Sequence, residues 1–333
     1  MRVLVTGGLG FIGSNLIRYM LNKYKDIEII NVDKVGIGSN EKNLKDLERD
    51  SRYRFVKGDL FDFGLISSLV KNADAIVNLA AETHVDRSIA NPRPFLESNT
   101  IGTFNILEAA RISNPRVRIL HMSTDEVYSE ILSGSYREDD RLKPSSPYSA
   151  SKAAADMFCL AYNRTYNLDV VIARCTNNFG PYQFPEKLIP KTVIRAKLGM
   201  KVPIYGTGKN IRDWLYVLDN CEAIDLLLQN GSAGEIYNIS AGNELESLTI
   251  VKKVLKIMGK GEELIEFVED RPGHDLRYSL DSTKIRKEIG WRPKHSLEEA
   301  LKMTVEWYLE NESWWRDIVD ERVLHPTPWK LRW

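Results

Sequence analysis

The stretch TGGLGFIGSN, residues 6–15, follows the apolar run RVLVT and leads into the helical pattern IGSNLIRYMLNKY. A strand must therefore turn directly into a helix across a glycine-rich loop. Gly8, Gly10 and Gly13 fit the spacing G-x-G-x-x-G, and Gly7, Gly10 and Gly13 fit a wider G-x-x-G-x-x-G. Glycine permits the tight turn and lets the backbone approach a pyrophosphate, which the free N–H groups at the helix N-terminus then bind. A glycine triplet alone could be no more than a tight connection. Asp33, at the end of the next apolar run, adds a carboxylate that can accept hydrogen bonds from an adenosine ribose and would repel a 2′-phosphate. Together these features predict an NAD site. Asp59, in GDL at 58–60, either reaches the adenine amino group or caps a turn.

The alternation continues through EIINVD (28–33), YRFVKGD (53–59), AIVNLAA (75–81), VRILHMS (117–123) and DVVIARC (169–175), with helical segments such as 12–24 and 100–113 between them. Most of these runs are nearly continuous, as in strands covered on both faces. The expected fold is α/β, a Rossmann-type doubly wound parallel sheet. Residues 1–178, with a strand and helix returning at 213–232, should form it. Residues 179–212 and 233–333, looser and richer in Gly and Pro, should form a smaller α+β substrate-binding lobe, with EIYNIS and helices near 248–258 and 296–310.

Formal charge is zero, from 46 basic and 46 acidic side chains without a long run of one sign, which argues against nucleic acid or an anionic membrane as partner. No apolar run approaches the roughly 20 residues of a membrane helix. No signal peptide is expected, and Cys159, Cys175 and Cys221 have neither disulfide-framework nor metal spacing, so a cytoplasmic protein without a metal site is expected. His84 and His121 read as structural. The tryptophans, four of them in the last twenty residues, read as packing for the small lobe or a chain contact.

YSASK places Tyr148 and Lys152 at i and i+4 on one helix face. A nearby ammonium favours the phenolate, so Tyr148 can take an alcohol proton while hydride leaves for NAD. MSTDEVY follows the fifth apolar run and so lies at the C-terminal edge of the sheet, where ligands of such folds bind. Thr124 offers a hydroxyl to a substrate alcohol, and Asp125 and Glu126 form a candidate acid–base pair. Burial and a like charge would raise the pKa of one of them. An alcohol dehydrogenase or a 4-epimerase needs neither carboxylate. A 4,6-dehydratase needs both, one to remove a C5 proton and one to protonate the departing C6 hydroxyl.

The glycine motif, Asp33, LAA at 79–81 and YSASK resemble the extended short-chain dehydrogenase/reductase family that acts on nucleotide-activated sugars. AAETHVDRSI, STDEVY, SPYSASKAAAD, RCTNNFGPYQFPEKLIP, NIRDWLYV and RPGHDLRY extend the resemblance over nearly the whole chain and narrow it to the dTDP-glucose 4,6-dehydratase family. The resemblance implies tightly held NAD, regenerated in each turnover, and conversion of a nucleoside-diphosphate-glucose to a 4-keto-6-deoxy sugar, a step of deoxysugar biosynthesis. It makes Asp125 the acid and Glu126 the base.

The same resemblance puts Gly7, Gly10, Phe11, Ile12, Gly13, Asp33, Lys34, Asp59, Leu60, Leu79, Ala80, Ala81, Thr100, Tyr148, Lys152 and Asn178 on the cofactor. It puts Glu82 and Thr124 on the sugar, and Asn177, Lys187, Leu188, Pro203, Ile204, Tyr205, Arg212, Ser247, Arg271 and His274 around the nucleotide, with Arg212 and Arg271 neutralising its phosphates. It also implies a homodimer through a four-helix bundle built from the helices after Asn99 and Tyr148. Ser129 stands where the family usually has Gly, and Ser247 where it usually has Asn, so UDP-glucose remains an alternative substrate; the alternative activity, a nucleotide-sugar 4-epimerase, is one the acid pair argues against. A non-catalytic NAD-binding sensor would be free to lose Tyr148, Lys152 or the acids, and all are present.

Overall fold

The apolar runs of the first half are strands that feed two cores at once. In the computed structural model, which describes residues 1–333, β1 (Arg2–Thr6) sends Val3 and Val5 into one buried cluster and Leu4 into another. β2 (Glu28–Asp33) and β3 (Tyr53–Lys57) come next in the chain. β4 (Ala75–Asn78), β5 (Arg118–Thr124) and β6 (Val170–Cys175) repeat the division: Val77, Leu120 and Val171 lie on the first side, Ile76, Ile119 and Ile172 on the second. Side chains alternate with period two, so a strand covered by helices on both faces needs apolar residues at every position.

Four short strands follow: β7 (Asn177–Phe179), β8 (Val202–Tyr205), β9 (Ile211–Tyr216) and β10 (Ile236–Ile239). β11 (Glu244–Glu246) and β12 (Ile265–Val268) complete the set. The main sheet runs β3-β2-β1-β4-β5-β6-β10, parallel throughout, as expected for the doubly wound class. Its order reverses between β1 and β4, so a crevice opens there beyond the strand ends. β11-β9-β7 and β12-β8 form two small sheets beside it. Helices Ser247–Ile257 and Leu297–Glu310 fall where the sequence predicts them.

Three expectations need correction. The run at 211–216 does not join the main sheet; β9 pairs with β7 and β11, while its Trp214, Leu215 and Tyr216 are buried in the first core together with the helix that follows, Val217–Asn230. The seventh strand is instead Ile236–Ile239, from the segment assigned to the lobe. Without it β6 would present an unpaired edge, and Tyr237 and Ile239 are fully buried against the first core. The predicted helix at 100–113 begins with a π-turn over Leu96–Ile101 before the regular helix Gly102–Ser113.

Helix Pro147–Tyr166 is fixed at its start and midway along its buried face. Ser146 and Ser149 form a reciprocal capping box and Pro147 occupies the first turn, which sets the position of Tyr148. Two turns further, Asp156 accepts from Arg174 Nε of β6 at 2.8 Å, with both side chains at most 1 % exposed. Arg174 also donates to the Tyr128 hydroxyl at 2.6 Å, and that hydroxyl donates to Asn238 of β10 at 3.0 Å. No helix is long and apolar enough to cross a membrane.

Candidate active site

The loop after β1 is built for close approach. Gly7 has φ +70°, and a Cβ there would lie 2.7 Å from Ala80 Cα; a Cβ on Gly13 would lie 2.4 Å from the Gly7 carbonyl oxygen. The helix that follows, Phe11–Lys23, has no side-chain cap and no acid in its first turn, so its leading N–H groups remain available to an anion. Asp33 ends β2 beside this loop. Its carboxylate accepts from Leu9 N (3.0 Å), Val35 N (2.8 Å) and the Ser39 hydroxyl (2.9 Å). Those three bonds leave one of about four lone-pair sites for a ribose hydroxyl.

One chamber joins these residues to the catalytic candidates. Gly7, Gly10, Phe11, Ile12, Gly13, Asp33, Lys34, Asp59, Leu60, Leu79, Ala80, Ala81 and Asn178 line it together with Glu82, Thr124, Asp125, Glu126, Tyr148, Lys152, Asn177 and Lys187. Buried polar atoms without a protein partner lie in its wall: Thr176 Oγ1, Asn177 Oδ1, Asn178 Oδ1 and Asp125 Oδ2. The residues therefore fit NAD. Thr100 is the exception among the expected cofactor residues. It is buried, its hydroxyl donates to the Ser151 carbonyl at 3.0 Å, and it does not line the chamber. Within the same π-turn Asn99 and Thr100 bond to Ser151 of helix Pro147–Tyr166, while Ser98 lines the chamber. Asp59 lines the chamber and also caps its own turn, accepting from Phe61 N at 3.0 Å.

At the end of β5 the Thr124 hydroxyl donates to Asp125 Oδ1 at 3.1 Å. Asp125 is 3 % exposed, and burial, then the charge of Glu126, push its carboxyl up to about 8. Glu126 is half-buried; burial raises it too, against the pull of Arg271, Arg212 and Lys187. The two acids thus differ in surroundings, and Asp125 is the one kept protonated at neutral pH.

Tyr148 does not show the lowered pKa that a neighbouring ammonium would produce. Burial and the Glu126 charge hold its phenol well above the ordinary range, while Lys152 Nζ donates to the Met122 carbonyl at 2.5 Å. Burial also lowers Lys152, with Asp156 opposing.

A second chamber adjoins the first, sharing Thr83, Glu126, Asn177, Glu186 and Lys187. Leu188, Pro203, Ile204, Tyr205, Arg212, Ser247, Arg271 and His274 all line it, so every expected nucleotide contact is brought to one place. Arg212 has no carboxylate partner; it donates to the Asp275 and Ile211 carbonyls and lies 4.2 Å from the Tyr278 ring centroid. Burial lowers its pKa. The Ser247 hydroxyl donates to Asn210 O at 3.2 Å, so the side chain in the family's Asn position is already bonded within the protein. His274 bonds Asp270 at 2.6 Å, and burial together with Arg271 and Arg212 lowers it to about 4.

Sequence reasoning missed a set of buried charges around these chambers. Arg87 donates to Glu82 at 2.8 Å and to Glu186 at 3.1 Å, Asp86 accepts from Arg271, and Lys191 lines the second chamber. THVDRSI, placed directly after Glu82, carries two of those charges but no local pattern that marks them as buried. His84, read as structural, belongs to this set: its Nδ1 lies 3.2 Å from Glu186, and burial lowers it to about 4. His121 is buried against Asn78 at 3.0 Å, as a structural histidine should be.

The family model for GDP-mannose 4,6 dehydratase matches residues 4–304. A dTDP-glucose 4,6-dehydratase of Streptomyces niveus is 47 % identical over 323 residues, which cover 96 % of each chain. The low-salt glycan biosynthesis protein Agl12 of Haloferax volcanii is 48 % identical over 94 % of this chain and 100 % of its own. The crystal structure of DesIV, a dTDP-glucose 4,6-dehydratase from Streptomyces venezuelae with NAD and TYD bound, superposes with a TM-score of 0.93 at 48 % identity, covering 96 % of this chain and 100 % of that one.

Proposed function

The chain belongs to the dTDP-glucose 4,6-dehydratase family, and from that premise we propose how its residues divide the reaction. It is an NAD-dependent lyase that converts dTDP-glucose to the 4-keto-6-deoxy sugar. The observation that supports this reading best is the placement of Asp125 and Glu126, with unequal environments, in the chamber that also holds Tyr148, Lys152 and the glycine loop. NAD, when bound, supplies the acceptor for the hydride leaving C4, its donor to C6, and a positive ring charge that favours the Tyr148 phenolate.

Thr124 orients the C4 hydroxyl and Tyr148 takes its proton. Lys152 is bonded to the Met122 carbonyl, so the phenol that burial holds high depends on the positive ring of bound NAD to form its anion. The 4-ketone acidifies the C5 hydrogen, which Glu126 removes. Asp125, held protonated, gives its proton to the departing C6 oxygen, and water leaves. Glu126 then returns a proton to C5. Glu82 faces the sugar, and Arg212 and Arg271 neutralise the diphosphate with Lys187 beside them. A 4-epimerase would have no use for the carboxylate pair.

Mass spectrometry after incubation with dTDP-, UDP-, GDP- and CDP-glucose, without added NAD, tests the assignment. The expected product has lost one water, fastest from the dTDP sugar. Faster loss from the UDP sugar would move the substrate, and no loss from any of them with NAD supplied would sink the reading.

The protein is proposed to be a homodimer. Leu96, Ile112, Met157, Phe158 and Tyr166, on and around the helices Gly102–Ser113 and Pro147–Tyr166, are exposed apolar side chains of the kind a helical interface covers. Sedimentation should give a dimer that Phe158→Glu weakens; a wild-type monomer at micromolar concentration would exclude it. The three cysteines are unpaired and buried, which fits a reducing compartment such as the cytoplasm.

A further inference from the structure

Asp86 lies in the short helix Val85–Ala90 and is 1 % exposed. Its Oδ1 accepts from Arg271 Nη1 at 2.8 Å and its Oδ2 from the Tyr205 hydroxyl at 3.0 Å. The three residues come from separate segments: Tyr205 ends β8, 119 residues away in the chain, and Arg271 opens the RPGHD loop, 185 residues away. All three line the second chamber. One carboxylate therefore ties two chamber residues of the small lobe to the end of a helix that follows β4.

The way Arg271 is held matters. A guanidinium grips a phosphate through two parallel N–H bonds on one edge. Asp86 occupies Nη1, while Nε is buried and has no partner. The edge that contains Nε is left open. Four cations line this chamber, namely Lys187, Lys191, Arg212 and Arg271. Glu126 and Glu186 line the chamber too, and the charge of Glu126 also favours Arg271, but Asp86 is the carboxylate bonded to it and so the one that fixes the direction of its fork before any anion arrives. The groups facing Asp86 are the cations Arg271 and Lys191, the Tyr205 hydroxyl and, at 3.7 Å, the His84 ring, which burial keeps neutral. Of the cations, only Arg271 bonds to it directly. The negative charge of Asp86 itself opposes a phosphate, but it is paired to Arg271, so the orienting effect dominates.

We propose that Asp86 is a positioning residue for the substrate's diphosphate, holding Arg271 by one nitrogen so that its remaining edge is presented to phosphate. The proposal rests on the reading that this chamber takes the nucleoside diphosphate.

The test is Asp86→Asn in the holoenzyme. Affinity for dTDP, measured by calorimetry, should fall about 10- to 100-fold, the range for a bond between charged groups. The KM for dTDP-glucose should rise by the same factor, with a far smaller change in kcat. Thymidine, which has no phosphate, should bind within about threefold of wild type, and bound NAD should be retained. Unchanged or tighter dTDP binding would overturn the proposal, and so would an equal loss for thymidine, because that would mean general damage to the chamber.

If the single variant does not fold, Asp86→Asn combined with Arg271→Gln is compared with Arg271→Gln alone. Equal dTDP affinity supports action through Arg271, and a further loss of about tenfold overturns it. Failure of the wild type to bind dTDP would instead remove the substrate assignment on which the proposal rests.

Discussion

Replacing Glu126 by Gln is expected to slow water elimination about 10²- to 10⁴-fold while oxidation at C4 continues. The amide keeps the size of the side chain but cannot take the C5 proton. It also removes a negative charge that helps hold the Tyr148 phenol high, so the first step should not suffer. In a single turnover the reduced nicotinamide absorbance should therefore appear and persist, with no dehydrated product by mass spectrometry. Water loss at the wild-type rate, or equal loss of both steps, would show that Glu126 is not the base.

The pH profile follows from its neighbour. Asp125 must be protonated to act as the acid, and its carboxyl is pushed up to about 8 by burial and by Glu126. The active form exists below that pH and is lost above it, so elimination should fall as pH rises through about 8. Asp125→Asn should lack that limb along with most of the rate.

The second large effect is on stability. Asp156→Ala should destabilise the protein by about 3–5 kcal/mol, read as a lower denaturant midpoint. Arg174 would be left as a buried cation with only neutral partners, chiefly the Tyr128 hydroxyl and ring. Replacing Arg174 as well, by Met, should recover much of the loss because no uncompensated charge remains. A single-variant change below about 1 kcal/mol, the size of an exposed pair, would mean that water reaches the site. Because Asp156 lies on the helix of Tyr148 and Lys152, activity should decline at a lower temperature than in the wild type.

What could be read without coordinates was whatever is local in the chain. A strand covered on both faces must be apolar at every position, so 28–33, 75–81 and 117–123 declared themselves. The glycine loop, Asp33, YSASK and the acid pair have fixed spacings within single strand–helix units. Ile236–Ile239 did not declare itself: four residues after a loop carry little periodicity, and only β6's need for a partner assigns them to the main sheet. The charges at 86, 87 and 186 were equally silent. Written in sequence, THVDRSI reads as a solvated helix start. Its burial depends on Glu186 and Arg271, 99 and 185 residues distant, and no local pattern encodes such pairings. The π-turn over Leu96–Ile101, in which Thr100 bonds to Ser151, had no local signal either.

The path of the chain through residues 211–239 limits how such enzymes can be recombined. The strand Ile211–Tyr216 pairs in a small sheet with β7 and β11, the next helix covers the large sheet, and the strand Ile236–Ile239 closes the large sheet's edge before the chain leaves again. The two sheets are interleaved along the chain. A chimera that exchanged everything after residue 178 would exchange the seventh strand as well, and with it the residue, Asn238, that accepts from Tyr128 behind Arg174. Substrate preference in this architecture is thus more readily altered by point changes around the second chamber than by swapping whole segments.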